Sequence, residues 1–203
     1  EDALCPNCAA RGLDLFYTVR NIPVHSCLLM ASRKEALDFP RGDLALGFCT
    51  RCGFITNTRF DIAHNSYDQR YQETQGFSPT FNRFARELAE RYVARYDLGS
   101  KTTLEIGCGK GEVLVLLCEL SGGRGIGLDP GYIPPPTTSP AAERLRFIVD
   151  LYDRRSADLP ADFIVCRHTL EHIAPTRTFM RELRHTIGDR PGVPLFFELP
   201  DAL

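Results

Sequence analysis

The chain has 203 residues, of which 43% are hydrophobic, enough to form one ordinary domain and a smaller one. Its formal net charge of −2 gives no electrostatic basis for binding nucleic acid or an anionic membrane surface, and neither is expected as a partner. No apolar run reaches the roughly 18 residues that a membrane span requires. The eight cysteines include two Cys-x-x-Cys pairs, which favours metal binding in a reducing compartment, the cytoplasm, over a disulfide framework.

The two pairs, Cys5 with Cys8 and Cys49 with Cys52, flank 40 intervening residues. Each pair can present two thiolates to one tetrahedral zinc ion, and four thiolates close the coordination sphere, so the site would be structural. Metal binding of this kind supplies on the order of 10 kcal/mol, which can hold a module too small for its own core. A redox Cys-x-x-Cys is the alternative, but two pairs argue against it. We therefore predict a zinc module over residues 1–62.

The region that follows, residues 63–99, is predicted to connect this module to a cofactor-binding domain. Its segment 67–77 is polar and aromatic and lacks clear periodicity. Ser78 and Pro79 then begin a helix as N-cap and first-turn proline, and apolar residues recur every three or four positions up to Tyr96. We expect this helix to cover the sheet, and we expect segment 67–77 to lie over the opening of the cofactor-binding site. A linker whose tyrosines only pack is the alternative.

Three alternating glycines, Gly107, Gly109 and Gly111, join a predicted buried strand at 103–106 to a predicted helix at 112–120. Glycine lets the backbone turn sharply and lets a ligand approach, and the helix N-terminus offers unpaired N–H groups. We therefore interpret residues 107–111, the glycine turn, as a nucleotide site. A plain tight turn is the alternative.

Two details favour S-adenosylmethionine (SAM), or its product S-adenosylhomocysteine, over NAD. Glu112 stands where the dinucleotide fingerprint has its last glycine, and Glu105 lies in the strand just before the turn. Both features resemble motif I of SAM methyltransferases. A second strand ends in Asp129, 22 residues after Gly107, where a doubly wound fold places the acid that binds the ribose hydroxyls. An aspartate that only caps a loop is the alternative.

The remaining pattern predicts a doubly wound, mostly parallel, Rossmann-like α/β sheet over residues 100–203. Three further strands are expected at 145–150, 162–166 and 195–199, and a helix is expected at 175–187. The nearly all-apolar strand at 162–166 is typical of a buried parallel strand. We expect Asp150 and Leu151 beside the adenine. The methionine end of SAM should lie between the glycine turn and Arg167–His168.

Residues 168–172 match H-x-x-E-H, the zinc motif of one metalloprotease class. We interpret the match as accidental, because the pentad starts at the end of a buried strand rather than inside a long helix. His168 and His172, together with Tyr71 of segment 67–77, are the candidates for a catalytic role in methyl transfer. The alternative is that the two histidines only orient the following helix.

Taken together, these residues resemble the sugar C-methyltransferases of antibiotic and surface-polysaccharide biosynthesis. The matching positions are Cys5, Cys8, Cys49, Cys52–Gly53, 67–78, Glu105–Gly111, Asp129, Leu170–His172 and Phe197–Pro200. The resemblance implies a four-cysteine zinc module, a SAM-binding domain, and methylation of a keto nucleotide sugar or a related small molecule.

The same resemblance places the catalytic base in a Tyr-x-Glu-His segment after the fifth strand, beyond Leu203. We therefore expect the natural protein to be longer, with the fifth strand covered by chain outside this sequence, by a loop or by another subunit. Two other classes compete. A zinc-bearing rRNA or tRNA base methyltransferase is disfavoured by the charge balance, and a silent SAM-binding or zinc-scaffold protein is the non-enzyme alternative.

Overall fold

The computed structural model describes residues 3–64, 74–134 and 139–201. The chain divides into two compact units. One comprises Glu1–Gln72 with Ala174–Arg177, and the other comprises Glu73–Ile173 with Thr178–Leu203. Within the described residues, no helix is both long and apolar enough to cross a membrane.

The first unit is built on a small antiparallel sheet in the order β1–β2–β3. Its elements are β1 (Asp14–Pro23), α1 (Arg33–Leu37), β2 (Arg41–Phe48) and β3 (Ile55–Asn57). Among the described residues of this unit, the buried hydrophobic side chains are those of Cys5, Ala45 and Cys49. Since two of these three are cysteines of the Cys-x-x-Cys pairs, apolar burial alone gives this sheet little stability.

The second unit is a five-stranded sheet in the order β6–β5–β4–β7–β8, and all its neighbouring strands are parallel. The strands are β4 (Thr102–Ile106), β5 (Arg124–Leu128), β6 (Leu145–Ile148), β7 (Phe163–Arg167) and β8 (Leu195–Glu198). The order reverses at β4, which lies between β5 and β7. Ligands of doubly wound folds bind at the carboxyl ends of the strands beside such a switch point. The predicted α/β architecture is confirmed.

Helices cover both faces of this sheet. They are α2 (Pro79–Tyr96), α3 (Glu112–Ser121) and α4 (Thr176–Ile187). Phe163 and Val165 of β7 pack in one cluster with residues of α2 and α3. Ile164 and Cys166 pack in another cluster with Phe179 and Leu183 of α4. Because alternate side chains of a strand point to opposite faces, this two-sided burial explains why β7 is apolar almost throughout.

Most of the predicted apolar stripe of α2 packs on the sheet, where Tyr92 and Tyr96 contact Phe163 of β7. Ser78 caps the helix as expected, with its Oγ accepting a 3.3 Å hydrogen bond from a backbone N–H of the first turn. Phe84 is the exception in the stripe, because its side chain is 43% exposed.

Candidate functional site

The glycine turn requires glycine for two separate reasons. Gly107 and Gly111 have φ values of +69° and +79°, which side-chain-bearing residues rarely adopt. A Cβ on Gly107 would lie 2.1 Å from Thr169 Oγ1, and a Cβ on Gly111 would lie 2.6 Å from Phe147 Cε1. The sequence Gly-x-Gly-x-Gly is therefore fixed by backbone conformation and by the space around the turn.

Asp129 follows β5 and is tied to the glycine turn by its carboxylate. Oδ2 accepts a 2.9 Å hydrogen bond from the Gly109 N–H, and Oδ1 accepts a 2.7 Å hydrogen bond from the Gly131 N–H. A carboxylate has about four acceptor positions. The side chain is only partly buried, so each oxygen retains a position that a hydroxyl group could occupy.

Glu105 lies in β4, directly before the glycine turn, and is only 3% exposed. Burial raises its pKa to about 8, although the nearby Arg167 guanidinium and the Leu114 backbone N–H act in the opposite direction. Within the described part of the chain, neither Glu105 Oε2 nor Arg167 Nη2 has a hydrogen-bond partner. Buried polar atoms are normally paired. The two unpaired groups therefore indicate a place where a polar ligand could supply partners.

The residues predicted at the adenine follow β6. Leu151 is 64% exposed, an apolar surface beside the sheet edge. Asp150 accepts a 2.8 Å hydrogen bond from the Leu151 N–H and a 2.9 Å hydrogen bond from Arg155. Arg155 also contacts Asp153 at 2.8 Å. Asp150, Asp153 and Arg155 line an open cavity of about 200 Å³. No motif or spacing pointed to the role of Arg155.

The turn after β7, residues 167–169, lies against the glycine turn. Thr169 Oγ1 donates a 2.9 Å hydrogen bond to the Arg167 carbonyl and is 3.4 Å from the Gly107 carbonyl oxygen. Arg167 Nε donates a 2.6 Å hydrogen bond to Glu198 Oε2, and His168 Nε2 lies 3.2 Å from Glu198 Oε1. The sequence pattern includes Glu198 only as one residue of the Phe197–Pro200 match and does not predict a role for it.

The remaining catalytic candidates are placed as follows. His172 ends a single 3-10 turn, Leu170–His172, so the pentad 168–172 lacks the helical geometry of the protease motif. Glu171 Oε1 is 4.0 Å from both His168 Nδ1 and His172 Nε2. Tyr71 lies outside the described residues. At the described end of segment 67–77, Thr74 Oγ1 donates a 2.6 Å hydrogen bond to Glu112 at the start of α3.

The four paired cysteines converge at one point of the first unit. The Sγ atoms of Cys5, Cys8, Cys49 and Cys52 all lie within 4.8 Å of one another. Cys5 and Cys52 are separated by 3.7 Å, and Cys8 and Cys49 by 3.6 Å. Four sulfur ligands placed tetrahedrally at 2.3 Å from zinc would be about 3.8 Å apart. The two short separations are close to that value, so the cluster is compatible with a tetrahedral metal centre, and all four residues carry free thiols.

Backbone turns orient these sulfurs. The Cys49 N–H donates to the Phe54 carbonyl at 2.9 Å, and the Gly53 N–H donates to the Cys49 carbonyl at 2.8 Å. Hydrogen bonds from the Phe54 backbone N–H and from the Asn7 side chain lower the pKa of Cys52 to about 6.

A backbone hydrogen bond from Ala10 lowers the pKa of Cys8, but burial and hydrogen bonds with the other three cysteines outweigh it and raise that pKa to about 11. Since metal binds the thiolate form, Cys52 is the cysteine of this cluster whose surroundings favour coordination most clearly.

Comparison with known proteins finds one protein family that matches this chain. The family described as "Methyltransferase domain" matches residues 77–203, and no curated protein matches the chain. Several solved structures of methyltransferases are similar to it, among them the following three. An S-adenosyl-L-methionine-dependent methyltransferase from Methanococcus maripaludis is 18% identical with a TM-score of 0.46, over 60% of each chain. The sugar N-methyltransferase KedS8 from Streptoalloteichus is 23% identical with a TM-score of 0.40, over 57% of this chain and 47% of its own.

The third structure is an RNA methyltransferase from Salinibacter ruber in complex with S-adenosylhomocysteine. It is 16% identical with a TM-score of 0.38, over 58% of this chain and 79% of its own. The present chain thus spans less than two thirds of the length of the first two proteins.

Proposed function

The chain belongs to the methyltransferase-domain family, and on that premise we propose that it transfers a methyl group from SAM to a small molecule. One observation carries the proposal. The glycine turn, the buried Glu105 and the tethered Asp129 meet beside β4, at the switch point of the sheet. A doubly wound sheet binds its nucleotide cofactor at this position.

Each predicted cofactor contact has a physical basis in this site. The close packing around Gly107 and Gly111 leaves backbone alone facing the ligand, and Asp129 retains acceptor positions for the ribose hydroxyls. Glu105 Oε2 is a buried polar atom without a hydrogen-bond partner within the described residues. The remaining proposed contacts are Gly109, Asp150, Leu151, Arg167 and His168. When bound, SAM supplies an electrophilic methyl group carried on a sulfonium.

The proposed substrate is a keto nucleotide sugar or a related small molecule. This rests on the resemblance to sugar C-methyltransferases and on the net charge of −2, which does not attract a polyanion. His168, His172 and Tyr71 remain the candidate catalytic residues within this sequence.

We also propose that Cys5, Cys8, Cys49 and Cys52 hold one structural zinc ion. The donor set is four thiols that converge within 4.8 Å of one another, and the sheet around it buries few apolar side chains. Residues 1–62 would then form the metal-binding module, 63–99 the connection over the cofactor site, and 100–203 the SAM-binding domain.

Incubation with tritiated SAM tests the proposed activity. The protein is offered a keto nucleotide sugar in one reaction and ribosomal RNA in a second reaction, with RNA retention on filters measured in parallel. We expect label in the nucleotide sugar and no retained RNA. Label in RNA would favour the base methyltransferase instead. Label in neither acceptor, with S-adenosylhomocysteine binding intact, would favour either a non-catalytic SAM-binding or zinc-scaffold protein or a catalytic base beyond Leu203.

A further inference from the structure

Glu198 forms a carboxylate bridge between two cationic or basic side chains at the carboxyl ends of β7 and β8. These strands are neighbours, and Arg167 is paired with Glu198 in their register. Oε2 accepts the Arg167 Nε–H at 2.6 Å, which leaves Oε1 to face His168 Nε2 at 3.2 Å. Partial burial raises the pKa of Glu198, but Arg167 and His168 outweigh it and the net pKa is lowered. Glu198 is therefore present as a carboxylate.

His168 is held in an uncommon backbone conformation by the same residue. Its φ is +46°, in the left-handed region that side-chain-bearing residues rarely adopt. Its N–H donates a 2.8 Å hydrogen bond to the Glu198 carbonyl. Non-glycine residues in such conformations persist where the surroundings enforce them, and they are concentrated at functional sites. The adjacent Thr169 packs on Gly107, so the backbone of His168 lies one residue away from the contact with the glycine turn.

The contact with Glu198 determines which ring nitrogen is basic. A carboxylate only accepts hydrogen bonds, so the nitrogen that faces it must carry the proton. In the neutral imidazole, Nε2 is then the protonated nitrogen and Nδ1 carries the lone pair. Nδ1 lies 4.0 Å from Glu171 Oε1, beyond hydrogen-bond length, and the side chain is 48% exposed.

We propose that Glu198 is a positioning residue that holds His168 with Nδ1 as the proton acceptor for methyl transfer. This inference rests on the proposed function and deepens it, and it places the base on His168 rather than in the segment beyond Leu203 that the resemblance implies. The acceptor's proton passes to Nδ1, the electron pair of the broken bond forms the new bond to the methyl carbon, and the sulfur keeps the pair of its former methyl bond. The imidazolium formed is stabilised by the carboxylate of Glu198.

The substitution Glu198→Gln makes a specific prediction. Arg167 Nε is only a donor, so it retains the single oxygen of the new amide, and the amide NH₂ group then faces His168 Nε2. Since that group donates, Nε2 must become the acceptor and Nδ1 must take the proton. The base is thereby placed on the wrong nitrogen. We expect the turnover number to fall by about 100-fold or more with KM little changed.

The tautomer of His168 can be determined independently of catalytic activity. Long-range ¹⁵N–¹H NMR of the imidazoles, at a pH where His168 is neutral, reports it. His168→Gln, which keeps the Arg167–Glu198 pair, assigns the signal. We expect the Nε2–H tautomer in the wild-type protein and the Nδ1–H tautomer in Glu198→Gln. The same tautomer in both proteins, or Nδ1–H in the wild type, would overturn the proposal.

Kinetic measurements with a keto nucleotide sugar as the substrate provide a second test of the proposal. If Glu198 acts through His168, the double variant should lose no more activity than His168→Gln alone. Full turnover in His168→Gln, or additive losses, would place the base elsewhere. The exposed Glu143→Gln is the matched control. S-adenosylhomocysteine affinity and thermal unfolding are measured for each variant, so that failure of cofactor binding in the wild type is recognised as failure of the proposed function instead.

Discussion

The backbone N–H of Gly109 donates a 2.9 Å hydrogen bond to Oδ2 of Asp129. The two residues belong to loops after neighbouring strands, β4 and β5, which pair in parallel from Thr102 to Ile106. The bond fixes the acid that is proposed to hold the ribose against the turn that is proposed to face the methionine part of SAM. A change on either side of this bond should therefore affect cofactor binding and folding together.

Replacing Gly107 with alanine should destabilise the second unit by about 2–4 kcal/mol. The new Cβ would lie 2.1 Å from Thr169 Oγ1, and φ at this position is +69°. Both overpacking and a left-handed conformation oppose the substitution. Gly122→Ala is the matched control, because φ there is +72° and nothing lies within 4 Å of its Cβ. It should cost only about 1 kcal/mol. Urea unfolding measures both values, and equal losses would exclude the steric explanation.

Glu105→Gln should change how stability depends on pH. The folded-state pKa of Glu105 is raised to about 8 from an ordinary value of 4.5, so the folded protein binds this proton more tightly than the unfolded chain does. The stabilisation is complete below about pH 4.5 and is lost as the pH rises to about 8. Because an amide does not ionise, the Glu105→Gln variant does not lose this stabilisation as the pH rises. Its stability relative to the wild type should increase by up to about 1.4 kcal/mol for each pH unit in that window.

Urea unfolding of the wild type, Glu105→Gln and the exposed control Glu143→Gln at several pH values checks this prediction. The contribution of the cysteine cluster is common to all three proteins and cancels in the differences. Parallel pH profiles for the wild type and Glu105→Gln would show that Glu105 is ionised normally in the folded protein.

Much of the site could be predicted because its signals are local. The φ requirements of the glycine turn and the spacing of the cysteine pairs are each set within a few residues. The acid at Asp129 follows from the regular length of a strand–helix–strand unit.

The contacts that could not be predicted depend on tertiary register. Glu198 meets His168 across 30 positions of sequence, and only the alignment of β8 on β7 brings them together. Arg155 meets Asp150 through the rotamers of two surface side chains. On α2, the stripe correctly predicted Tyr92 and Tyr96 at the sheet, but the exposure of Phe84 depends on how the helix is rotated against its neighbours.

Zinc removal should unfold the first unit. We expect one zinc ion per chain by metal analysis, and loss of the ion in Cys52→Ser because one of four ligands is removed. Cys27→Ser is the control, since Cys27 is an exposed free thiol outside the four-cysteine cluster. Chelation should abolish amide-exchange protection in β1 and β2. A metal-free protein in which these strands remain protected would contradict the structural role.

Calorimetric titration with S-adenosylhomocysteine tests the central claim, that the glycine turn and Asp129 form a SAM site. We expect binding by the wild-type chain and a loss of affinity of about 10- to 100-fold in Asp129→Ala, since hydrogen bonds to a charged group contribute roughly 1.5–3 kcal/mol. The exposed control Asp158→Ala should bind as the wild type does. Unchanged affinity in Asp129→Ala, or tight binding of NAD in place of S-adenosylhomocysteine, would contradict the account.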